Sequence, residues 1–331
     1  MSTLSPLITT LIAVAAELCR SVSIIIFIFG QIGNILTIMV FTQKSLRTNT
    51  CSLYILASSV SNIVALTFGM LFIILINGYG ITLTARAPIL CKIQPYLFYV
   101  SYFLSSWFIM LACIDRYYSS HRSAERRQFS RPLIAYRLII FTTIVSFLVH
   151  IHLIIYMDFV KNKCASTSYY YSLFVYSYYM AVYAVMTPVI YIIFGILTIR
   201  NVNQSRRAIV PRQYSRQRAI NTQIIYMLII QVISFICLTA PYAIFDLYIG
   251  LTYQRVKSLE RLVIEAFIQS VLLLWSLINS GINFYIYTLA GTIFRKELTK
   301  IINKILTFIH MKRHFTRTVT PINAFYLKPK I

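Results

Sequence analysis

Seven stretches of this chain run apolar for about twenty positions or more, and the polar residues gather between them. They lie at about 18–42, 52–77, 91–117, 138–157, 171–199, 223–248 and 262–288. Runs such as SVSIIIFIFG and VISFICLTAP are apolar on every side, without the alternation at every second position that a membrane barrel strand carries. Some twenty helical residues cross about 30 Å of hydrocarbon. In that medium each backbone N–H and C=O needs an internal partner, which a helix supplies. The pattern predicts an all-α membrane protein, a seven-transmembrane helix bundle over 18–288.

Composition sharpens this picture. Hydrophobic residues make up 58% of the 331, charged residues 12%, and mean hydropathy is +0.72, which excludes an ordinary soluble domain. The net charge of +23 is unevenly placed: 22 of the 31 Lys and Arg lie in segments 43–51, 118–137 and 200–222 and in the tail from 289. Such an excess marks the cytoplasmic side, leaving segment 1–17 extracellular and 289–331 a cytoplasmic tail. Nucleic acid is not the expected partner, because the charge sits beside the membrane, where it suits anionic lipid. Residues 1–16 lack the basic start of a cleavable signal peptide, so the first span reads as a signal anchor. Between Gly291 and His310, Ile293, Phe294, Leu298, Ile301, Ile302, Ile305 and Ile309 share one helical face. Arg295, Lys296, Lys300 and Lys304 share the other, predicting a short amphipathic eighth helix lying on an anionic leaflet. It holds no cysteine to palmitoylate.

The chemistry-bearing residues are sparse. Cys91 opens the third span and Cys164 lies mid-loop on the outer side, so both face an oxidising compartment. They are either two free thiols or, as expected here, a bridge tying that loop over the mouth of the bundle. No C-x-x-C or H-x-x-x-H spacing suggests a metal, and His150 and His152 read as interhelical hydrogen-bonders. The eight acids are scattered, and no nucleophile elbow, P-loop or dinucleotide fingerprint occurs, so neither catalysis nor a cofactor is expected. Mid-span charges and inverted repeats that would mark a transporter or channel are missing as well.

One charged pair stands out. In MLACIDRYYSS, residues 110–120, an apolar span ends in Asp115, Arg116 and Tyr117. Arg116 is costly in hydrocarbon unless paired, and Asp115 supplies a partner; the simple alternative is an interfacial pair that anchors a helix end. With Cys91 placed 25 residues before Arg116, Gly33-Asn34 in the first span, Phe235 and Pro241 in the sixth, and Asn283-Phe284-Tyr285-Ile286-Tyr287 in the seventh, the chain resembles the rhodopsin-like (class A) G-protein-coupled receptors. The resemblance runs from about residue 18 to 310. Pro188 matches the fifth-helix proline, Cys164 the second-loop partner of Cys91, and Phe294-Arg295 the start of the eighth helix. The chain departs from the pattern in several places. Val60 stands where the family usually has Asp, Thr239 where it has Trp, Leu238 where it has Cys, and Phe284 where it has Pro; the fourth span has no Trp. Asn221 occupies a position where many members carry an acid that restrains the arginine.

The resemblance implies a plasma-membrane receptor, multi-pass, that couples an extracellular ligand to a heterotrimeric G protein. Asp115, Arg116, Tyr117, Asn221, Asn283 and Tyr287 would form the coupling region, and Pro188 and Pro241 would act as hinges or as static kinks. If the sixth helix swings outward, Arg116 would reach toward Tyr287 and an inserted G-protein helix. Thr316, Thr318 and Thr320 would be candidates for phosphorylation and arrestin recruitment, or plain polar tail. Phe98 stands where amine receptors carry an Asp, and the seventh span has no lysine for a retinal Schiff base. Gln94, Phe98, Tyr99 and Tyr102 in the third span, Tyr242 and Asp246 in the sixth, and Glu265 and Gln269 in the seventh are the expected ligand-binding residues. Aromatic walls under an acidic rim suit a neuropeptide with a basic or amidated end. A small chemosensory molecule is the alternative ligand. Asp246 and Glu265 would otherwise pair with Lys257 or Arg261, and Tyr169–Tyr171, Tyr176, Tyr178 and Tyr179 would form an interfacial aromatic belt.

Overall fold

All seven apolar stretches are helices in the structure, a computed structural model that describes residues 5–81, 87–160, 163–166, 168–206 and 215–319. Within these, the side chains of 160, 163, 205–222, 305 and 308–319 lie outside the description. The spanning helices begin with α1 (Pro6–Phe41), α2 (Thr50–Ile73, closing in a π-helical turn Ile74–Gly78) and α3 (Pro88–Ser120). Next come α4 (Pro132–Val149, extended by the turn His152–Tyr156) and α5, built from Tyr169–Tyr178, a π-helical stretch Tyr179–Met186 and Thr187–Arg206. α6 (Ser215–Leu251), α7 (Leu259–Ala290) and, past Gly291, α8 (Thr292–Val319) complete the order.

Local sequence sets the helix ends. The Ser5 Oγ accepts from the Ile8 N–H at 3.4 Å, and Pro6 sits in a first turn that needs no N–H partner. No Gly or Pro interrupts the chain from there to Leu18, so α1 starts at Pro6 instead of near residue 18. Asn49 caps α2 by accepting from the Cys51 N–H at 3.1 Å, and Ser258 caps α7 by accepting from Arg261 at 3.3 Å. α8 runs 28 residues, longer than the short helix its apolar face predicts. A hairpin of β1 (Met157–Val160) and β2 (Lys163–Ser166), paired antiparallel with Phe159 opposite Cys164, has no counterpart in the hydropathy pattern.

Small and hydroxylic residues let the helices close up. A Cβ added to Gly281 of α7 would lie 3.0 Å from the Gly30 Cα of α1, and one on Gly33 would lie 3.0 Å from the Phe284 Cβ. Asn34 secures the same seam, its Nδ2 donating to the Ser280 carbonyl at 2.9 Å and to Gly30 at 2.8 Å. Between α2 and α3, the Ser105 Oγ donates to Asn62 Oδ1 at 2.6 Å and lies 3.0 Å from the Ser58 Oγ. Val60 is 53% exposed on the outer face of α2, while Ser58, Ser59 and Asn62 are buried. The family's acidic position in α2 is therefore not filled by Val60 in space. Isoleucine and phenylalanine dominate the outward faces, among them Ile25, Phe29, Ile140, Phe141 and Ile144, as a lipid-facing surface requires.

Candidate functional site

At the basic end of the bundle, the last turns of α3 bring Asp115 and Arg116 inward, 5% and 4% exposed. Arg116 Nη2 donates to Asp115 Oδ2 at 2.6 Å and to Asn49 Oδ1, ahead of α2, at 2.9 Å. The other carboxylate oxygen, Asp115 Oδ1, accepts from the Ser130 hydroxyl at 2.7 Å. Removing either charge would leave its partner buried and uncompensated, so the pair holds only as a unit. Asn49 and Ser130 are absent from the sequence-derived set; a capping Asn and a loop Ser carry no signal beyond their local roles. Tyr117 turns toward α5, its ring 5.6 Å from Phe194 and its carbonyl accepting from Asn201 Nδ2 at 3.4 Å.

A second set of bonds joins α6 to α7 and α8. Tyr287 is buried at 1% exposure and donates its hydroxyl to Gln231 Oε1 at 2.7 Å. Two turns earlier on α6, Gln223 Oε1 accepts from the Ile293 N–H at 3.0 Å, and its amide nitrogen donates to the Thr292 hydroxyl. Both glutamines went unread in the sequence, since a neutral amide in an apolar helix announces no partner. Arg116 and Tyr287 are thus engaged with other residues. Asn283 of α7 is buried at 4% exposure, its Oδ1 without a hydrogen-bond partner among the described residues. The side chain of Asn221 lies outside the described residues, as do those of Thr316, Thr318 and Thr320.

The prolines behave differently from each other. Pro241 removes the N–H that would serve the Cys237 carbonyl, and Trp275 of α7 donates its indole N–H to that carbonyl at 3.2 Å. α6 therefore stays helical through Pro241. In α5 the turns before Pro188 widen into the π-helical stretch, where the Thr187 hydroxyl donates to the Val182 carbonyl at 2.9 Å. Pro95, in the first turns of α3, is a third interior proline that received no role from the sequence.

At the opposite end, Cys91 and Cys164 form the disulfide, their Cα atoms 5.4 Å apart, which ties β2 to the start of α3. Below it, Phe98 packs on Gly69 of α2 and stacks on Tyr102 at 5.5 Å between centroids. Tyr102 stacks on Tyr183 of α5 at 4.8 Å, Tyr183 meets Phe235 of α6 at 5.0 Å, and Phe235 meets Tyr191 at 5.4 Å. This ladder of rings runs from the expected ligand region to mid-bundle. It passes Thr239, whose hydroxyl is spent on the Phe235 carbonyl at 2.7 Å. A narrow cleft beside the ladder, walled by Tyr99, Tyr102, His150, Tyr178, Tyr179 and Tyr183 among others, leaves about 20 Å³ of free space.

The two acids expected at the ligand site part company. Asp246 is 3% exposed, accepts from Gln269 Nε2 at 2.8 Å, and lies within electrostatic reach of Tyr99, Tyr176 and Tyr242. Glu265 instead is paired twice, with Lys257 Nζ at 2.5 Å and Arg261 Nε at 3.0 Å, and accepts from the Tyr248 hydroxyl at 3.1 Å. The expected acidic rim is thereby reduced to one carboxylate. Gln94 is committed to α2, donating to the Phe68 carbonyl at 2.7 Å. Of the histidines, His152 is bonded across helices to the Tyr171 hydroxyl at 2.6 Å. His150 differs from expectation: its Nδ1 is bonded to the Ser146 carbonyl of its own helix at 2.8 Å, and it meets Phe103 only by ring contact.

A bundle capped at one end by a disulfide-tied hairpin and fastened at the other by side-chain latches is organised as a seven-helix membrane receptor. The family model described as 7 transmembrane receptor (rhodopsin family) matches residues 33–287, and the chain belongs to that family. Probable G-protein coupled receptor 34 of Pan troglodytes is 32% identical over 106 residues, which are 31% of this chain and 27% of the relative. C-C chemokine receptor type 1 of Macaca fascicularis is 29% identical over 105 residues, 32% of this chain and 29% of the relative. G-protein coupled receptor homolog K2 of swinepox virus is 32% identical over 108 residues, 33% and 28% of the two chains. The matched segments thus span under a third of the length of these curated relatives.

Proposed function

We propose that this receptor resides in the plasma membrane with its N-terminus outside, and that it converts an extracellular ligand into activation of a heterotrimeric G protein. The observation that carries the reading is the buried Asp115–Arg116 pair, tied to Asn49 before α2 and to Ser130 before α4, in a chain of this family. A paired arginine at the basic end is a group that a partner helix can capture once the pair opens. Agonist binding stabilises a conformation with α6 displaced, and the intracellular partner tightens agonist binding in return. The basic face of α8 lies on the anionic leaflet, and the tail threonines are where arrestin would be recruited.

For the ligand, the combination of one buried carboxylate and surrounding phenols supports a neuropeptide-like molecule with a cationic group. Asp246 supplies the charge, while Tyr99, Tyr176 and Tyr242 supply faces for a cation. The aromatic lining of the cleft supports a second reading, a small chemosensory molecule acting through the same helices. Nucleotide exchange on purified G proteins, measured with the reconstituted receptor against a peptide library and a small-molecule library, tests both. Exchange stimulated by a cationic peptide supports the first reading; stimulation by small molecules alone supports the second. Ion flux without any exchange would overturn both in favour of a channel.

A further inference from the structure

Ser130 joins a loop to the charge pair. It follows the helical turn Ala124–Arg127 and stands two residues before Pro132, where α4 begins. Its hydroxyl donates to Asp115 Oδ1 at 2.7 Å while Arg116 donates to Oδ2 of the same carboxylate at 2.6 Å. Its carbonyl accepts from the Thr50 hydroxyl at 3.3 Å, which fixes the backbone there. The side chain is half-buried, whereas Arg126, Arg127 and Arg131 around it are exposed. Ser130 therefore has arginines three and four positions before it, as well as one directly after it. Arginine at those preceding positions complements the acidic substrate cleft of a basophilic protein kinase.

The geometry points to Ser130 as a phosphorylation site that switches the receptor off by taking Arg116 from Asp115. This inference rests on the cytoplasmic reading of that end, because protein kinases and ATP work there. In the transfer, the Ser130 Oγ attacks the γ-phosphorus of ATP and forms the new P–O bond. The bond from the γ-phosphorus to its bridging oxygen breaks, ADP leaves with that electron pair, and the hydroxyl proton passes to the kinase's base. A donor to Asp115 is thereby replaced by a group of about −1.5 to −2 charge with three acceptor oxygens. Two anions then share one position and Asp115 is pushed away. Arg116, on the far oxygen of the same carboxylate, gains a stronger partner in the loop. An arginine held by that phosphate is withheld from any helix entering between α3 and α6.

Treatment of the purified full-length receptor with a basophilic kinase and ATP tests this, with peptide-mapping mass spectrometry to place the phosphate. The expected result is phosphate at Ser130, a fall of about tenfold in nucleotide exchange, and recovery after phosphatase on the same sample. Ser130→Ala should take no phosphate there, and Arg127→Gln should slow its incorporation. Cys51 gives a readout that does not depend on G protein. It is fully buried, its thiol facing the Ala112 carbonyl at 3.9 Å and lying within electrostatic reach of Arg116. Departure of Arg116 toward the loop removes the cation that favours the Cys51 thiolate and should slow its alkylation, followed at peptide resolution. No phosphate at Ser130 under conditions that phosphorylate a free 120–133 peptide overturns the site. Phosphate with unchanged exchange and unchanged Cys51 labelling overturns the switch. Exchange absent in both states, with Cys51 labelling slowed by phosphate, overturns the G-protein reading and leaves the switch standing.

Discussion

Tyr287 of α7 donates its hydroxyl to Oε1 of Gln231 on α6 at 2.7 Å, and both residues are buried. An outward swing of α6 has to break that bond. A buried neutral hydrogen bond is worth about 0.5–1.5 kcal/mol, so its loss shifts the closed-to-open ratio by about two- to tenfold. Gln231→Leu is expected to raise ligand-free nucleotide exchange by that factor, and Tyr287→Phe by a similar one. In the double variant the gains should not multiply, because one bond is removed in all three proteins. Multiplying gains would show that the two side chains act separately.

Arg116 leads to a prediction of opposite sign. Asn221 brings no carboxylate to restrain it, so wild-type membranes should show ligand-free exchange above those of untransfected cells. Arg116→Ala should bring that signal down to the untransfected level with receptor abundance matched by antibody. A wild-type signal no higher than background would refute constitutive activity.

Asp246 and Glu265 are expected to respond differently. Asp246→Asn should weaken a cationic agonist by about 10- to 100-fold, the range for losing a charged hydrogen bond, with thermal stability little changed. Glu265→Gln should instead lower the melting temperature, since Lys257, with a side chain only 5% exposed, loses its carboxylate. Radioligand competition and dye-based melting on the same preparations separate the two effects. Equal loss of affinity in both variants would restore Glu265 to the ligand site.

The α1–α7 seam predicts a steric limit. A side chain at Gly281 meets the Gly30 backbone, so Gly281→Leu should destabilise the bundle by about 1–3 kcal/mol through overpacking. Gly195 of α5 has nothing within 4 Å of an added Cβ, and Gly195→Ala should leave the melting point unchanged or raise it.

Pro241, Cys237 and Trp275 form a testable trio. In wild-type protein, Trp275→Phe leaves the Cys237 carbonyl without its indole donor and should loosen α6, read as faster hydrogen exchange around residues 235–242. In a Pro241→Ala background the alanine N–H serves that carbonyl, so the same tryptophan change should have little effect.

The spans were legible because hydrocarbon tolerates only long charge-free helices, and Asp115 was legible as the partner of Arg116 because it is its neighbour. The remaining partners lie far along the chain. Asn49 is 67 residues from Arg116, and Gln231 is 56 from Tyr287. No local pattern links such pairs. Val60 differs for another reason: Ser59 and Ser61 on either side of it are buried, and each step along a helix turns the side chain by about 100°, enough to leave Val60 facing lipid. The start of α1 was misplaced because hydropathy reports where hydrocarbon begins, whereas Ser5 and Pro6 report where the helix begins. For Glu265 the sequence left two readings open, a ligand contact or a pair with Lys257 or Arg261, and the fold realises the second.

The Gln223 amide holds both the Thr292 hydroxyl and the Ile293 N–H, so α6 and the surface helix α8 share a joint. With α8 on the leaflet as proposed, a force that lifts or sinks it would reach the foot of α6 through that amide. On that proposal, thickness, curvature and anionic content of the membrane would act on this receptor as a mechanical load, setting how far a given ligand has to push.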